Sequence, residues 1–273
     1  MTLGMFCLSV NDMTYKHLSF NFPVWEAVFF RALSGSIISI FLVYFVGIKT
    51  LKTKKPIRHS VRALSAVGCV VLYIYGIKYL FLSENIALAH SAPIIAAFLA
   101  VPILGEKIGI YRILAIIIGF IGVIIIVKPG TDLFQLKSLL PIGSALFMAS
   151  VYLSTRSLMN TDSSTSIIFY YSFALLFTSV IFFPKDFIMP NTFNLFIGLS
   201  LGIMGSLGHF FMSQAAKNAD VAVTSPFEYT SFIFVGVMGY LLFAEIPGQS
   251  VIYGGILIIL SGIYVAYRER ISK

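Results

Sequence analysis

Ten apolar runs follow one another through this chain with only short breaks, and that succession leaves little room for any fold but a bundle of membrane-spanning helices. A span needs roughly 17 to 25 mostly apolar residues. Runs at about 1–16, 26–47, 61–80, 86–104, 110–127, 139–158, 165–183, 193–214, 221–243 and 250–267 approach or meet that length. The breaks carry Pro, Gly, Asn or charge, as in KTKKP, LGEKIG, KPGTD, NTDSS, FPKD and AEIPG. Nothing between them is long enough to build a soluble domain.

Composition agrees. Of 273 residues, 58% are hydrophobic and 11% charged, against about 25% charged in soluble domains. The formal net charge of +8 does not point to nucleic acid, because the basic residues sit between apolar runs and at the C-terminus. Cys7 and Cys69 lie inside apolar runs without CxxC or Cys/His spacing, so neither a disulfide framework nor a metal site is expected, and no cofactor is implied. The first run has no basic n-region and is interrupted by Asn11 and Asp12, so it reads as a retained first span rather than a cleaved signal.

Lys and Arg near span ends set orientation. With ten spans, Lys49, Lys52, Lys54, Lys55, Arg58, Arg62, Lys107, Arg112, Arg156, Lys217, Arg268, Arg270 and Lys273 share one side, 13 in all. The other side has five: Lys16, Lys78, Lys128, Lys137 and Lys185. Both termini are therefore expected in the cytoplasm, with the chain in the inner membrane.

The halves repeat. A shift of 140 residues lays Lys16 on Arg156 and Phe29 on Phe169; a shift of 139 lays Lys78 on Lys217, His90 on Tyr229 and Glu106 on Glu245. Two five-span units of odd count insert in opposite directions. The expected fold is an all-α integral membrane protein of ten transmembrane helices arranged as two inverted five-helix repeats, residues 1–130 and 131–273. Such repeats place a substrate site near the midplane, at the interface between them.

Here the sequence resembles the drug/metabolite transporter superfamily, in particular its EamA-type members, over essentially its full length. The residues that carry the resemblance are SVNDMTYKHL followed by WEAVFFR, YGIKYL, PILGEKIG with GFIGVIIIVKPG, and SPFEY through LLFAEIPG to SGIYVAYRER. The opening Asn11-Asp12, Lys16 and Glu26-to-Arg31 pattern is similar to the branch that contains bacterial S-adenosylmethionine uptake transporters. The resemblance implies small-metabolite transport through a central cavity lined mainly by spans 1, 3, 4, 6, 8 and 9. The first span is shorter than is usual in that family.

Glu228 is the sharpest candidate, because an acid inside hydrocarbon is costly and faces the protein interior or a watery cavity. It reads either as a substrate or proton ligand, or as a structural acid bonded to Tyr229, a serine or freed backbone. Its expected depth is about 10 Å below the start of span nine. Pro226 frees a backbone carbonyl for a ligand, or is a simple first-turn proline; Ser225 serves either reading, and Pro93 in the matching region IALAHSAP is grouped with it. His90 gains weight from its match to Tyr229, while an isolated membrane histidine such as His209 reads as hydrogen-bonded packing. Tyr75 and Tyr152 lie on spans that the resemblance places at the cavity, where a ring can stack on a flat or cationic substrate. Tyr170 and Tyr171 read as an interfacial belt.

Asn11 belongs to the candidate site, as does Gln214, which matches Tyr75. Asp12 pairs with Lys16 one turn on, or lines the cavity. Arg31 is expected to be structural, meeting Glu26 near the interface. Glu106 and Glu245 read as caps that close the two repeats. Glycines at 119, 122, 254, 255 and 262 mark helix packing or the face of a homodimer.

The leading expectation is a secondary transporter of a small polar or amphipathic metabolite, with proton or exchange coupling. S-adenosylmethionine is a specific candidate, since a sulfonium and an amino group suit a carboxylate and adenine suits a tyrosine face. No Walker A pattern occurs. A membrane transferase would need a convergent acid/base or nucleophile set, and the carboxylates are scattered singly. A membrane scaffold or sensor is the third class, disfavoured by the repeat.

Overall fold

The computed structural model describes residues 1–53, 55–104, 109–129, 135–158, 162–218 and 225–271. All regular structure among them is helical. The helices are α1 (Thr2–Ser19), α2 (Val24–Val46), α3 (Pro56–Tyr79), α4 (Leu82–Ala89), α5 (Ala92–Leu104), α6 (Ile110–Val127), α7 (Leu139–Leu158), α8 (Ser164–Ile181), α9 (Thr192–Asn218), α10 (Thr230–Phe243) and α11 (Gln249–Ile271). Short 3₁₀ turns cover Ile48–Leu51, Leu136–Ser138 and Ser225–Tyr229. Helices α4 and α5 together make span four, and the turn Ser225–Tyr229 with α10 makes span nine, which gives ten spans.

Six segments of the described residues are long and apolar enough to cross a membrane, and three shorter apolar helices accompany them. The first helix is a different kind of element. It runs 18 residues, about 27 Å at 1.5 Å per residue, so it matches a hydrocarbon core despite its early start. Its polar residues Asn11, Asp12 and Lys16 are buried against protein rather than lipid. Local chemistry sets several ends: Pro56 opens α3 at a position where its missing N–H costs nothing, and Ser163 Oγ accepts from Ser166 N at 3.1 Å to cap α8.

The packing obeys the repeat. Exchanging spans one to five with six to ten maps α1 onto α7, α2 onto α8, α3 onto α9, span four onto span nine, and α6 onto α11. Under that exchange the contacts α6·α11 and α2·α8 map onto themselves. The contacts α3·α7 and α1·α9 interchange, as do α3·α8 and α2·α9, and α5·α7 and α1·α10. The two inverted halves therefore interlock rather than sit side by side.

Two features follow for the site. At the end of the bundle carrying the turns near residues 20–23, 80–81 and 244–248, Leu18, Phe22, Val24, Val28, Ile77 and Leu82 form a closed apolar core. Along α6 and α11, Gly122 and Gly254 let the backbones touch; a Cβ on Gly122 would stand 2.7 Å from the Gly254 carbonyl oxygen. Those glycines are consumed by packing within one chain, and so is Gly119 against Ser261.

Candidate functional site

Span four is broken where the repeat predicts a match. Helix α4 ends at Ala89, His90 takes φ −70° and ψ 0°, and α5 begins at Ala92 with Pro93 in its first turn. Pro93 has no N–H, so the Ala89 carbonyl loses its helical partner. Span nine changes geometry at the equivalent place, where the 3₁₀ turn ends at Tyr229 and α10 starts at Thr230. His90 and Tyr229 meet there with ring centroids 5.6 Å apart, and Phe232 packs on His90 at 5.0 Å.

Hydrogen bonding orients the imidazole. His90 Nδ1 lies 2.9 Å from the Ile86 carbonyl oxygen, which can only accept, so Nδ1 carries the proton. That leaves Nε2 facing the Ser231 hydroxyl at 3.3 Å. Ser231 Oγ also stands 2.7 Å from the Glu228 carbonyl oxygen, which ties the imidazole to the turn bearing the acid.

Glu228 is partly buried in the first described turn of span nine, and its carboxylate has no hydrogen-bond or ion-pair partner among the described residues. Tyr152 of α7 lies within electrostatic range of Glu228, Tyr229 and Cys69. It is 38% exposed, and His209 is exposed as well.

A second polar group joins α1, α2 and α3. Tyr73 OH donates to Asp12 Oδ2 at 2.8 Å, and Arg31 Nη1 donates to Tyr15 OH at 3.2 Å with its guanidinium 5.7 Å from the Tyr15 ring centre. Asp12 and Tyr171 are within electrostatic range of Arg31. Arg62 Nε donates to Thr155 Oγ1 at 2.8 Å and lies near Tyr171 and His209.

Several expectations change. Asp12 does not pair with Lys16, because Tyr73 reaches it from α3 while Lys16 points the other way. Arg31 does not meet Glu26, whose Oε2 accepts from Ile188 N at 3.3 Å; the guanidinium turns inward to Tyr15. Tyr171 stands beside that guanidinium rather than in an interfacial belt, and Tyr170 OH donates to the Leu51 carbonyl oxygen at 2.8 Å. The signal that could have found Arg31 and Tyr171 was present in the repeat: the 140-residue shift lays Arg31 on Tyr171, and Asp12 on Tyr152.

Lys16 closes the end opposite the termini. Its Nζ is 2.9 Å from Glu245 Oε1 and donates to the Ile77 and Leu80 carbonyls at 3.0 and 2.7 Å, while Glu245 Oε2 accepts from Leu82 N at 2.7 Å. The cation thus sits at the C-terminus of α3 and the anion at the N-terminus of α4, each at the favourable pole of a helix. Ala244 makes this reach possible by taking φ +53°, which turns Glu245 back over the bundle.

The other named residues separate. Asn11 Nδ2 donates to the Leu201 carbonyl at 2.6 Å and ties α1 to α9. Tyr75 lies beside Trp25 and packs on the closed-end core, away from Glu228. Gln214 is exposed on the last part of α9. The backbones of Ser225 and Pro226 lie in the 3₁₀ turn, with Pro226 its second residue, but their side chains lie outside the described residues, as does all of Glu106. Among the described residues no group of three metal-ligating side chains occurs. A groove of about 410 Å³ between α5 and α6, lined by Phe98, Pro102, Ile117 and Phe120, offers no polar group and stands apart from this site.

A ten-span bundle of interlocking inverted halves with polar groups at matching span breaks is the architecture of a membrane transporter. The chain belongs to the EamA-like transporter family, which it matches over residues 1–128 and 136–268. It is 28% identical over 268 residues to the S-adenosylmethionine uptake transporter of Rickettsia felis, covering 98% of this chain and 91% of that one. It is 26% identical over 272 residues to a pseudopaline exporter of Pseudomonas aeruginosa, covering 98% and 95%. A solved crystal structure shares the fold with a TM-score of 0.67 at 16% identity, covering 99% of this chain and 98% of the other. The protein is a multi-pass transporter of small molecules, not an enzyme.

Proposed function

We propose that this protein is a secondary transporter that carries a small polar or amphipathic metabolite across the inner membrane by alternating access, with both termini in the cytoplasm. Residues 1–130 and 131–273 are the two inverted repeats, and because their helices interlock the moving units draw on both. The observation that carries the reading is the meeting of His90 and Tyr229 at matching breaks in spans four and nine, beside a Glu228 carboxylate with no partner among the described residues. Backbone breaks at the repeat interface supply polar groups where straight helices have none. Lys16 with Glu245 and the apolar core beneath them support a state closed at the end opposite the termini.

S-adenosylmethionine is the substrate we favour. Glu228 and Asp12 suit its sulfonium and ammonium, and Tyr152 and Tyr229 suit its adenine. The similarity to the Rickettsia felis transporter adds weight, and the similarity to an exporter leaves direction open. Drive comes from a proton or from exchange against an internal metabolite. Purified protein in proteoliposomes loaded with unlabelled S-adenosylmethionine tests this: labelled S-adenosylmethionine accumulates if the reading holds. If another metabolite drives counterflow and this one does not, the substrate changes while the transport mechanism stands.

A further inference from the structure

We propose that Arg31 is the anion anchor of the substrate site, binding a carboxylate of the transported molecule while Asp12 receives the neighbouring cationic group. The proposal rests on the transporter reading above and assigns the residue that selects among its substrates. Of the chain's 19 Lys and Arg residues, 18 are named above for orientation; Arg31 is the remaining one and sits eight residues into α2.

The chemistry of its surroundings is incomplete. Among the described residues no carboxylate lies within ion-pair distance of Arg31, and of its five N–H donors one is given to Tyr15 OH. A cation inside a membrane bundle is costly unless something neutralises it. Asp12 is in electrostatic range, but its Oδ2 accepts from Tyr73 OH. Gly205 of α9 brings no side chain toward the guanidinium, where even a Cβ would stand 3.6 Å from Nη2. The Tyr15 ring covers one side and Tyr171 stands near.

A planar fork with free donors matches the two oxygens of a carboxylate and does so better than a lysine would. An α-amino acid head group carries its ammonium next to its carboxylate, so a nearby Arg and Asp can hold both at once. Arg31 would thus select a zwitterionic end, leaving Glu228, Tyr152 and Tyr229 to the rest of the molecule. Tyr73, by holding Asp12 through one oxygen, keeps the other available.

Thermal stabilisation of the purified full chain by matched ligands tests this without requiring transport. The probes are S-adenosylmethionine against decarboxylated S-adenosylmethionine, and methionine against methionine methyl ester. Wild-type protein should bind the carboxylate-bearing member of at least one pair about tenfold or more tightly, the scale of a charge-assisted hydrogen bond. Arg31→Gln should abolish that preference while leaving the decarboxylated member's affinity within a factor of about three, and Arg31→Lys should restore part of it. Both variants must elute as monodisperse protein, and the lysine variant serves if the glutamine variant does not fold. Equal binding of both members of each pair by wild type, or a preference retained in Arg31→Gln or undiminished in Arg31→Lys, would overturn the assignment. Absence of counterflow with the preference intact would instead overturn the transporter reading and leave the anchor standing.

Discussion

His90 and Tyr229, 139 residues apart in sequence, occupy matching positions in the two halves and hold their rings 5.6 Å from centre to centre. Each sits where its span breaks, so the repeat brings its own two irregularities together. His90 is fixed by Ile86 on one nitrogen and faces Ser231 with the other. Replacing His90 by Phe keeps a ring of similar bulk and removes both polar contacts. Transport should fall by about tenfold or more, with the melting temperature changed by only a few degrees.

Tyr229 also depends on a glycine. A Cβ on Gly262 would collide with the Tyr229 hydroxyl, so that ring fits only because α11 has no side chain there. Gly262→Ala should displace the ring and lower transport. Adding Tyr229→Phe, which removes the colliding atom, should recover part of the stability lost, measured as melting temperature in detergent.

Lys16 and Glu245 form a buried ion pair that joins three helices through four short contacts. Glu245→Gln leaves the ammonium without its counter-charge, and Lys16→Met strands the carboxylate. Each single change should cost about 3–5 kcal/mol. The double change to Met at both positions should cost less than the sum of the two, and thermal unfolding of the four proteins measures that difference.

Gly122→Leu should separate α6 from α11, because those backbones touch through Gly122 and Gly254. Overpacking of this kind costs about 1–3 kcal/mol. Size-exclusion chromatography should show no change in oligomeric state, since the contact lies within one chain.

The spans and their repeat were legible because apolar length and short polar breaks are local signals. A constant offset between halves also needs no three-dimensional information. The first helix was harder: judged by its apolar residues it is short, yet Asn11, Asp12 and Lys16 lengthen it to 18 residues because other helices bury them. The pairing of charges was misread for the same reason. Sequence proximity suggested Asp12 with Lys16 and Glu26 with Arg31, while the fold supplies Tyr73, Glu245, Ile188 and Tyr15 from segments that only the tertiary packing brings near. Glu245, expected to cap the connection of its own repeat, instead accepts from the start of α4 in the other half. Its lysine partner, across more than two hundred residues, left no local trace.

The most direct test of the account is S-adenosylmethionine counterflow in proteoliposomes containing wild-type or Glu228→Gln protein at equal, monodisperse incorporation. The account predicts accumulation with wild type and a loss of about tenfold or more with the variant, whose shape is unchanged but whose charge is gone. Undiminished counterflow by Glu228→Gln would remove the acid from the mechanism and contradict the central claim.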